Sequence, residues 1–393
     1  MTSGAQGRST ARPQSDNEAP SDGHASRTAE VETKLDQLRL WLERKDHSAC
    51  LLTSQANFAW ITGGGHSHVA TGEAQGVASV LVTDDAAYLI TPNIELRRLT
   101  EEETAGLPFQ AVEFPWHARS AISKFVAQLC DSSRAVSDVE IDGLGRVEPD
   151  MAQLRYTLLT PELERYRALG RAAAQAVERA CLAARPDDSE LEVAARVSFE
   201  CWTRDILPLV NLAAADGRIA LYRHPIPTSN RVKSTLLVAL TGRRHGLHAS
   251  LTRMVSFGPP DAELVTRHHA VTRVDACEIL ATRPGRDLSE VMKRGVDQYA
   301  AEGFPEEWKL HHQGGLTGYA GREIFATPSS RHRIGGNQVF AWNPSITRVK
   351  SEDTVFVGDD DQEVLTRSGH WPERDVRLGP ETIKRPALLV AAE

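Results

Sequence analysis

Nowhere does this 393-residue sequence sustain the roughly 18 consecutive apolar residues that a membrane-spanning helix needs. Nor does it open with the charged-then-apolar pattern of a secretory leader. An excess of positive charge is also missing: 45 Lys and Arg stand against 53 Asp and Glu, a formal net charge of −8. Nucleic acid is therefore not an expected partner, because phosphate binding needs concentrated Lys and Arg. The positive charge present is nearly all arginine. Cysteine is scarce. The five residues Cys50, Cys130, Cys181, Cys201 and Cys277 are odd in number and show no CxxC or similar spacing. They read as small buried thiols in a reducing, cytoplasmic protein. A content of 41% hydrophobic and 25% charged residues is that of a globular chain, long enough for two cores.

Residues 1–28 are polar and rich in Ser, Gly, Pro and Ala, the composition of a disordered tail. From residue 29 onward, strand-like and helix-like patterns alternate. "SACLLTS" (48–54), "VASVLVTDD" (77–85), "AAYLITP" (86–92), "QAVEFP" (110–115) and "RAVSDVEID" (134–142) read as strands. "NIELRRLTEEE" and "ARSAISKFVAQLCDSS" read as helices between them. This alternation over 29–158 predicts a small α/β domain. At residue 159 the pattern changes. Thr160 is the expected N-cap, and Pro161 the first residue, of a long Ala-rich helix that Pro186 ends. Ser189 is placed to cap a second helix. A hairpin (234–242 and 247–258), a helix pair around "RPGRD" and a strand-rich end complete an α+β domain over 159–393.

Several segments, taken in order, carry a resemblance. "SQANFAWITGG" (54–64), "TPELERYRALGRAA", "YRHPIPTSNRV" (222–232), "TRPGRDLSEV" and "EDTVFVGDDDQEVLT" (352–366) are similar to motifs of one superfamily. Its members are aminopeptidase P, prolidase, methionine aminopeptidase and creatinase. The resemblance covers roughly residues 30–370. It implies an α/β N-terminal domain plus an α+β C-terminal pita-bread (creatinase/aminopeptidase-like) domain. It also implies a homodimer in which the N-terminal domain approaches the partner's cleft.

The peptidases of this superfamily hold two divalent metals with two Asp, one His and two Glu. Carried over one position at a time, those ligands fall on Ala239, Ser250, Gly315, Asn343 and Glu352. Only Glu352 survives, so no functional metal and no cofactor are expected. His248, on the same face as Ser250 if the hairpin forms, is placed near Glu352 as a site for a stray zinc ion.

Creatinase is the metal-free precedent that the resemblance supplies, and it points to His224 as general acid/base, with Glu352 as the anchor of a cation or water. "HHQGGLTGYAGRE" adds His311, aligned with a histidine used near the substrate. His312 points the other way if the segment is extended. Gly314 and Gly315 either open room for a substrate or allow close backbone approach. Arg322 suits a substrate carboxylate or an ion pair with Glu323 or another acid, and Asn343 suits an amide. Arg223, Ser250, Glu323, Trp60, His66 and His68 complete the candidate substrate-binding set, with Trp60 and the histidine loop acting on a partner subunit. His268 and His269 read as helix surface.

The expected activity is metal-independent hydrolysis of a C–N bond in a small polar, amino-acid-like substrate. Elimination or isomerisation at the same histidine, a peptidase with rebuilt metal ligands, and a non-catalytic binding protein are the alternatives. Ser250, where a second acid would grip a guanidinium, argues against creatine.

Overall fold

The computed structural model describes residues 21–118, 121–148 and 150–391, with side chains from Ser26 onward. The described part begins in a helix, Ser21–Lys45, so residues 21–28 of the expected tail are helical; residues 1–20 lie outside the described part. Arg27 explains the extension. Its guanidinium donates to the carbonyls of Thr62 (2.9 Å) and Glu103 (2.6 Å), which ties that turn to the domain.

Strands Ala49–Ser54, Gln75–Thr83, Ala87–Pro92, Gln110–Phe114, Ala135–Ser137 and Gly145–Arg146 form one six-stranded mixed sheet. Apolar runs such as Cys50–Leu52 and Val80–Val82 are buried on both faces, as expected of inner strands. The predicted helix over "NIELRRLTEEE" is only a short turn, Leu96–Arg98, continued by a π-turn, Leu99–Glu103. The predicted strand 134–142 shrinks to Ala135–Ser137.

The second domain opens with helix Thr160–Ala183, and here the cap is Leu159, one residue before the expected Thr160. The Glu162 carboxylate accepts from the Leu159 N–H at 2.7 Å, satisfying an end group of the helix. Helix Glu190–Trp202 is capped by Ser189 as read, with Glu192 reciprocating. The hairpin Thr235–Arg244/Leu247–Phe257 forms in the register that pairs Ala239 with Thr252 and Thr241 with Ser250. Two flanking strands were not anticipated: Leu207–Ala215 on one side and Leu389–Ala391 on the other. The helix pair Ala262–Ala281 and Leu288–Ala301 follows, and then a five-stranded sheet that includes Gly314–Thr317, Gln338–Trp342 and Asp353–Val357. A late hairpin, Glu373–Leu378/Glu381–Pro386, was also unforeseen.

Beneath the second domain runs a chain of buried charges. Arg253 pairs with Glu178 and Asp353, and Arg385 pairs with Asp353 and Asp275. Asp275 in turn accepts from the Ser351 hydroxyl. Two clamps tie the domains together. Lys34 meets Glu30 (2.6 Å), Glu162 (2.8 Å) and the Tyr319 hydroxyl (3.3 Å). Arg155 holds Glu323 through both oxygens and also meets Glu148. Tyr319 and Glu323 flank Arg322, so both clamps fix the loop that carries it.

Candidate functional site

Three imidazoles converge where the second domain's sheets meet. His224 and His311 face each other Nε2 to Nε2 at 3.1 Å, and the rings of His311 and His312 stack with centroids 4.4 Å apart. Both members of the His311–His312 pair therefore reach the cluster, contrary to the alternation expected of an extended chain. The reason is local. Residues 307–310 form a 3-10 turn, and the strand begins only at Gly314. Gln313 locks the bend, donating to the His311 carbonyl (2.6 Å) and accepting from the Tyr299 hydroxyl (2.8 Å).

Glu352 is buried beside them. Its carboxylate takes hydrogen bonds from the Lys350 ammonium (2.9 Å) and the Thr252 hydroxyl (2.7 Å), with Arg322 at 3.6 Å. Lys350 is the one charged group at the site absent from the sequence reading. Two residues before Glu352 on the same extended segment, it shares that residue's face. Burial works to raise the Glu352 carboxyl, but Lys350 and Arg322 outweigh it and hold the group below the usual range. The imidazoles are lowered too, but for them a lowered pKa favours the neutral form. Burial first, then Lys350 and its neighbours, push His311 down to about 2. Burial and Arg322 push His312 down to about 4, and burial with Lys350 lowers His224. All three are neutral at pH 7. Each then offers one nitrogen as donor and one as acceptor.

The positions carried over from metal ligands show why no dinuclear cluster fits. Ala239 supplies no donor atom. The Ser250 hydroxyl is occupied by Thr241 at 2.9 Å, and the Ser250 N–H donates to Thr354. Asn343 is buried, its N–H donating to the Gln313 carbonyl. Gly315 lies at φ +142°, and a Cβ there would stand 2.1 Å from the Ile324 carbonyl oxygen. Gly314, at φ +105°, would meet the Ala341 oxygen at 2.0 Å. These two glycines serve close strand approach, and the space that would have admitted a larger substrate is filled by backbone. Gly315→Ala is expected to cost about 1–3 kcal/mol of stability from φ and clash combined, read by urea unfolding.

The other candidates fall outside the cluster. Glu323 is consumed by Arg155, so it belongs to the domain clamp, and the acid that Arg322 meets is Glu352. Arg223 is held by Glu307 (2.6 Å) and Thr347 (3.0 Å). The His248 ring turns to the Gly318 carbonyl at 3.2 Å, and from its strand Thr252 is the residue that reaches Glu352. Trp60 is buried in the first domain, where its carbonyl accepts from Lys34. It cannot project into another subunit. His66 and His68 pack against the tip of this chain's own hairpin: the His66 ring lies 6.4 Å from that of His245, and His68 Nδ1 lies 3.4 Å from Arg243. Of the helix pair His268–His269, the first is buried, because Leu264, His268, Val271 and Asp275 form the inward stripe.

Burial of neutral histidines carries a pH consequence. Burial pushes His268 down to about 3 and His248 down to about 4, both below the ordinary value of 6.5. A histidine with a depressed folded pKa binds more protons when unfolded. Its contribution is complete above pH 6.5 and is lost as pH falls towards the folded value. Tm should therefore drop steeply between pH 6.5 and 4, by the equivalent of about 3 kcal/mol for each fully buried imidazole. His268→Leu should flatten that slope in a melting series.

Among the described residues, His224, His311 and His312 are the one group whose ligand atoms could hold an ion, all within 4.8 Å of one another. The His311 and His312 planes are only 24° apart in the stack. Imidazole lone pairs lie in the ring plane, so one ion cannot lie in both planes unless a ring turns. No helix among the described residues is long and apolar enough to cross a membrane.

Comparison with known proteins agrees with the fold. Residues 164–360 match metallopeptidase family M24, and residues 34–169 match the creatinase/prolidase N-terminal domain. An uncharacterized peptidase, MW1651, of Staphylococcus aureus (strain MW2) is 21% identical over 337 residues, covering 80% of this chain and 96% of that protein. The Xaa-Pro dipeptidase of Bacillus anthracis superposes with a TM-score of 0.74 at 17% identity, over 92% of this chain and 100% of its own. The N-terminal domain of FACT complex subunit SPT16 from Cicer arietinum superposes with a TM-score of 0.65 at 11% identity, over 88% of this chain and 97% of its own. At these identities the superpositions establish the fold and no particular reaction.

Proposed function

Because the chain belongs to metallopeptidase family M24 while four of its five ligand positions carry no carboxylate or imidazole, we propose a metal-independent hydrolase that cleaves a C–N bond in a small amino-acid-like substrate. The observation that carries this reading is the gathering of three neutral imidazoles beside a Glu352 already neutralised by Lys350 and Arg322. His224, the most open of the three, takes a proton from water as the water oxygen adds to the carbon of the C–N bond. His311, 3.1 Å away, pairs with the Nε2 of that imidazole, so the proton from water goes to its Nδ1. The C–N bond then breaks, and His224 returns the proton to the departing nitrogen. Water and substrate are thereby converted to an amine and an acid with atoms and charge balanced.

One observation favours a second reading, a peptidase with a rebuilt single-metal site: the same three histidines form a compact donor group. Amine release from N-acyl amino acids, guanidino acids and Xaa-Pro dipeptides, assayed with and without a chelator, separates the two. Turnover that survives chelation supports the metal-independent reading. Turnover abolished by chelation and restored by zinc supports the second.

A further inference from the structure

We propose that the cleft selects an amphipathic monoanion, an amino acid whose nitrogen carries an apolar acyl group, with its carboxylate seated between Lys350 and Arg322. The inference deepens the reading of this cleft as a substrate site and rests on it. It starts from a count of charges. The Lys350 and Arg322 side chains are 7% and 10% exposed, and among the described residues the single carboxylate paired with either is Glu352. Two cations less one carboxylate leave one positive charge. The nearby Arg223 does not change the sum, because Glu307 matches it at 2.6 Å.

Arg322 is also short of acceptors. One of its amino groups donates to the Gly321 carbonyl at 2.6 Å, the other lies 3.6 Å from Glu352, and its Nε has no partner. A buried positive charge without a full counterpart is costly, and a bound anion removes that cost. A carboxylate is the group that matches a guanidinium and an ammonium together. A divalent cation would raise the surplus from one to three. A free dipeptide, carrying its own ammonium with its carboxylate, would leave the surplus at one. A blocked nitrogen is therefore part of the inference.

The apolar portion follows from the rim. Tyr222 and Ile226 stand two residues either side of His224 and are 51% and 68% exposed. Leu310, 58% exposed, precedes His311, and Phe325, 50% exposed, sets its ring edge-on to His312 at 5.0 Å. Phe325 thus sets an apolar face directly against the imidazoles, and Tyr222, Ile226 and Leu310 leave further apolar surface exposed within two residues of them along the chain. A carboxylate at Lys350 and Arg322 would leave the rest of a ligand of this size to meet Phe325 beside His312.

Calorimetric titration of the full chain with N-benzoylglycine and N-acetylphenylalanine tests this without turnover. At least one should bind, and its methyl ester, the zwitterion phenylalanylglycine and acetate should each bind about tenfold or more weakly. Lys350→Met should reduce binding of the acylated acid by at least about tenfold. Phe325→Ser, at an exposed position that does not threaten folding, should weaken the acylated acid and leave acetate unchanged. Equal binding of the ester or the zwitterion, or binding of neither probe, would overturn the proposal. Binding without cleavage would uphold it and remove the hydrolase reading. Cleavage of zwitterionic dipeptides without binding of either acylated acid would do the reverse.

Discussion

Arg385→Ala should lower the stability of the chain by about 3–5 kcal/mol, among the largest effects available to a single substitution here. Arg385 is wholly buried, and its guanidinium joins Asp275 to Asp353 at 2.6 Å. Burial pushes the Asp275 carboxyl up, against the pull of Arg385, so removing the arginine leaves Asp275 with no counter-charge and facing Asp353, which keeps only Arg253. The same acids touch the site. Ser351, between Lys350 and Glu352, donates to Asp275, and Asp353 follows Glu352 directly. Replacing Asp275 with Leu in the Arg385→Ala background should recover part of the loss, because the uncompensated charge is then reduced. Chemical unfolding of Arg385→Ala, Asp275→Leu and the double variant reads the coupling. A loss under about 1 kcal/mol for Arg385→Ala would show that water enters and solvates the acids.

His224→Ala carries the other large effect, on turnover rather than stability. General acid/base groups contribute about 10²–10⁴-fold, and that range is the expected loss in kcat against a substrate found by the amine-release screen. The residue is half-open and its ring contacts are to His311 and His312, so Tm should move little. His311→Gln should cost less, because glutamine can still donate to or accept from His224 and hold its ring in place. A pH profile distinguishes acid/base from mere packing. His224 is held below its ordinary pKa by burial and by Lys350, so activity should persist as pH falls below 6.5 and decline only as the imidazole protonates. An unchanged kcat in His224→Ala would remove the mechanism.

Much of the architecture was legible because it is written in periodicity and punctuation. Ser189 with Glu192, the Pro-Gly turn between the helix pair and the order of motifs are local signals, and the structure follows them. The elements that escaped notice lack such signals. Strand Leu207–Ala215 contains a proline and a bulge near Val210, which blur its alternation. The hairpin Glu373–Pro386 is strongly charged, and its Arg385 is buried only because Asp275 and Asp353 await it from distant segments. His268 was readable after all: the spacing of Leu264, His268 and Val271 is that of one helix face. The site was half legible. Motif alignment named Glu352, His224 and Arg322, which the fold brings near one another. It did not reveal that a 3-10 turn would bring His311 and His312 together, or that Lys350 would neutralise Glu352, because both depend on segments meeting in space.

The central claim is that the cleft of this M24 chain no longer assembles the dinuclear cluster and works through its histidines. Metal content of the chain, purified and then equilibrated with zinc and manganese before desalting, tests it most directly. The account predicts well under one ion per chain, with amine release unchanged by chelation. Two ions per chain, retained through desalting and required for turnover, would contradict it.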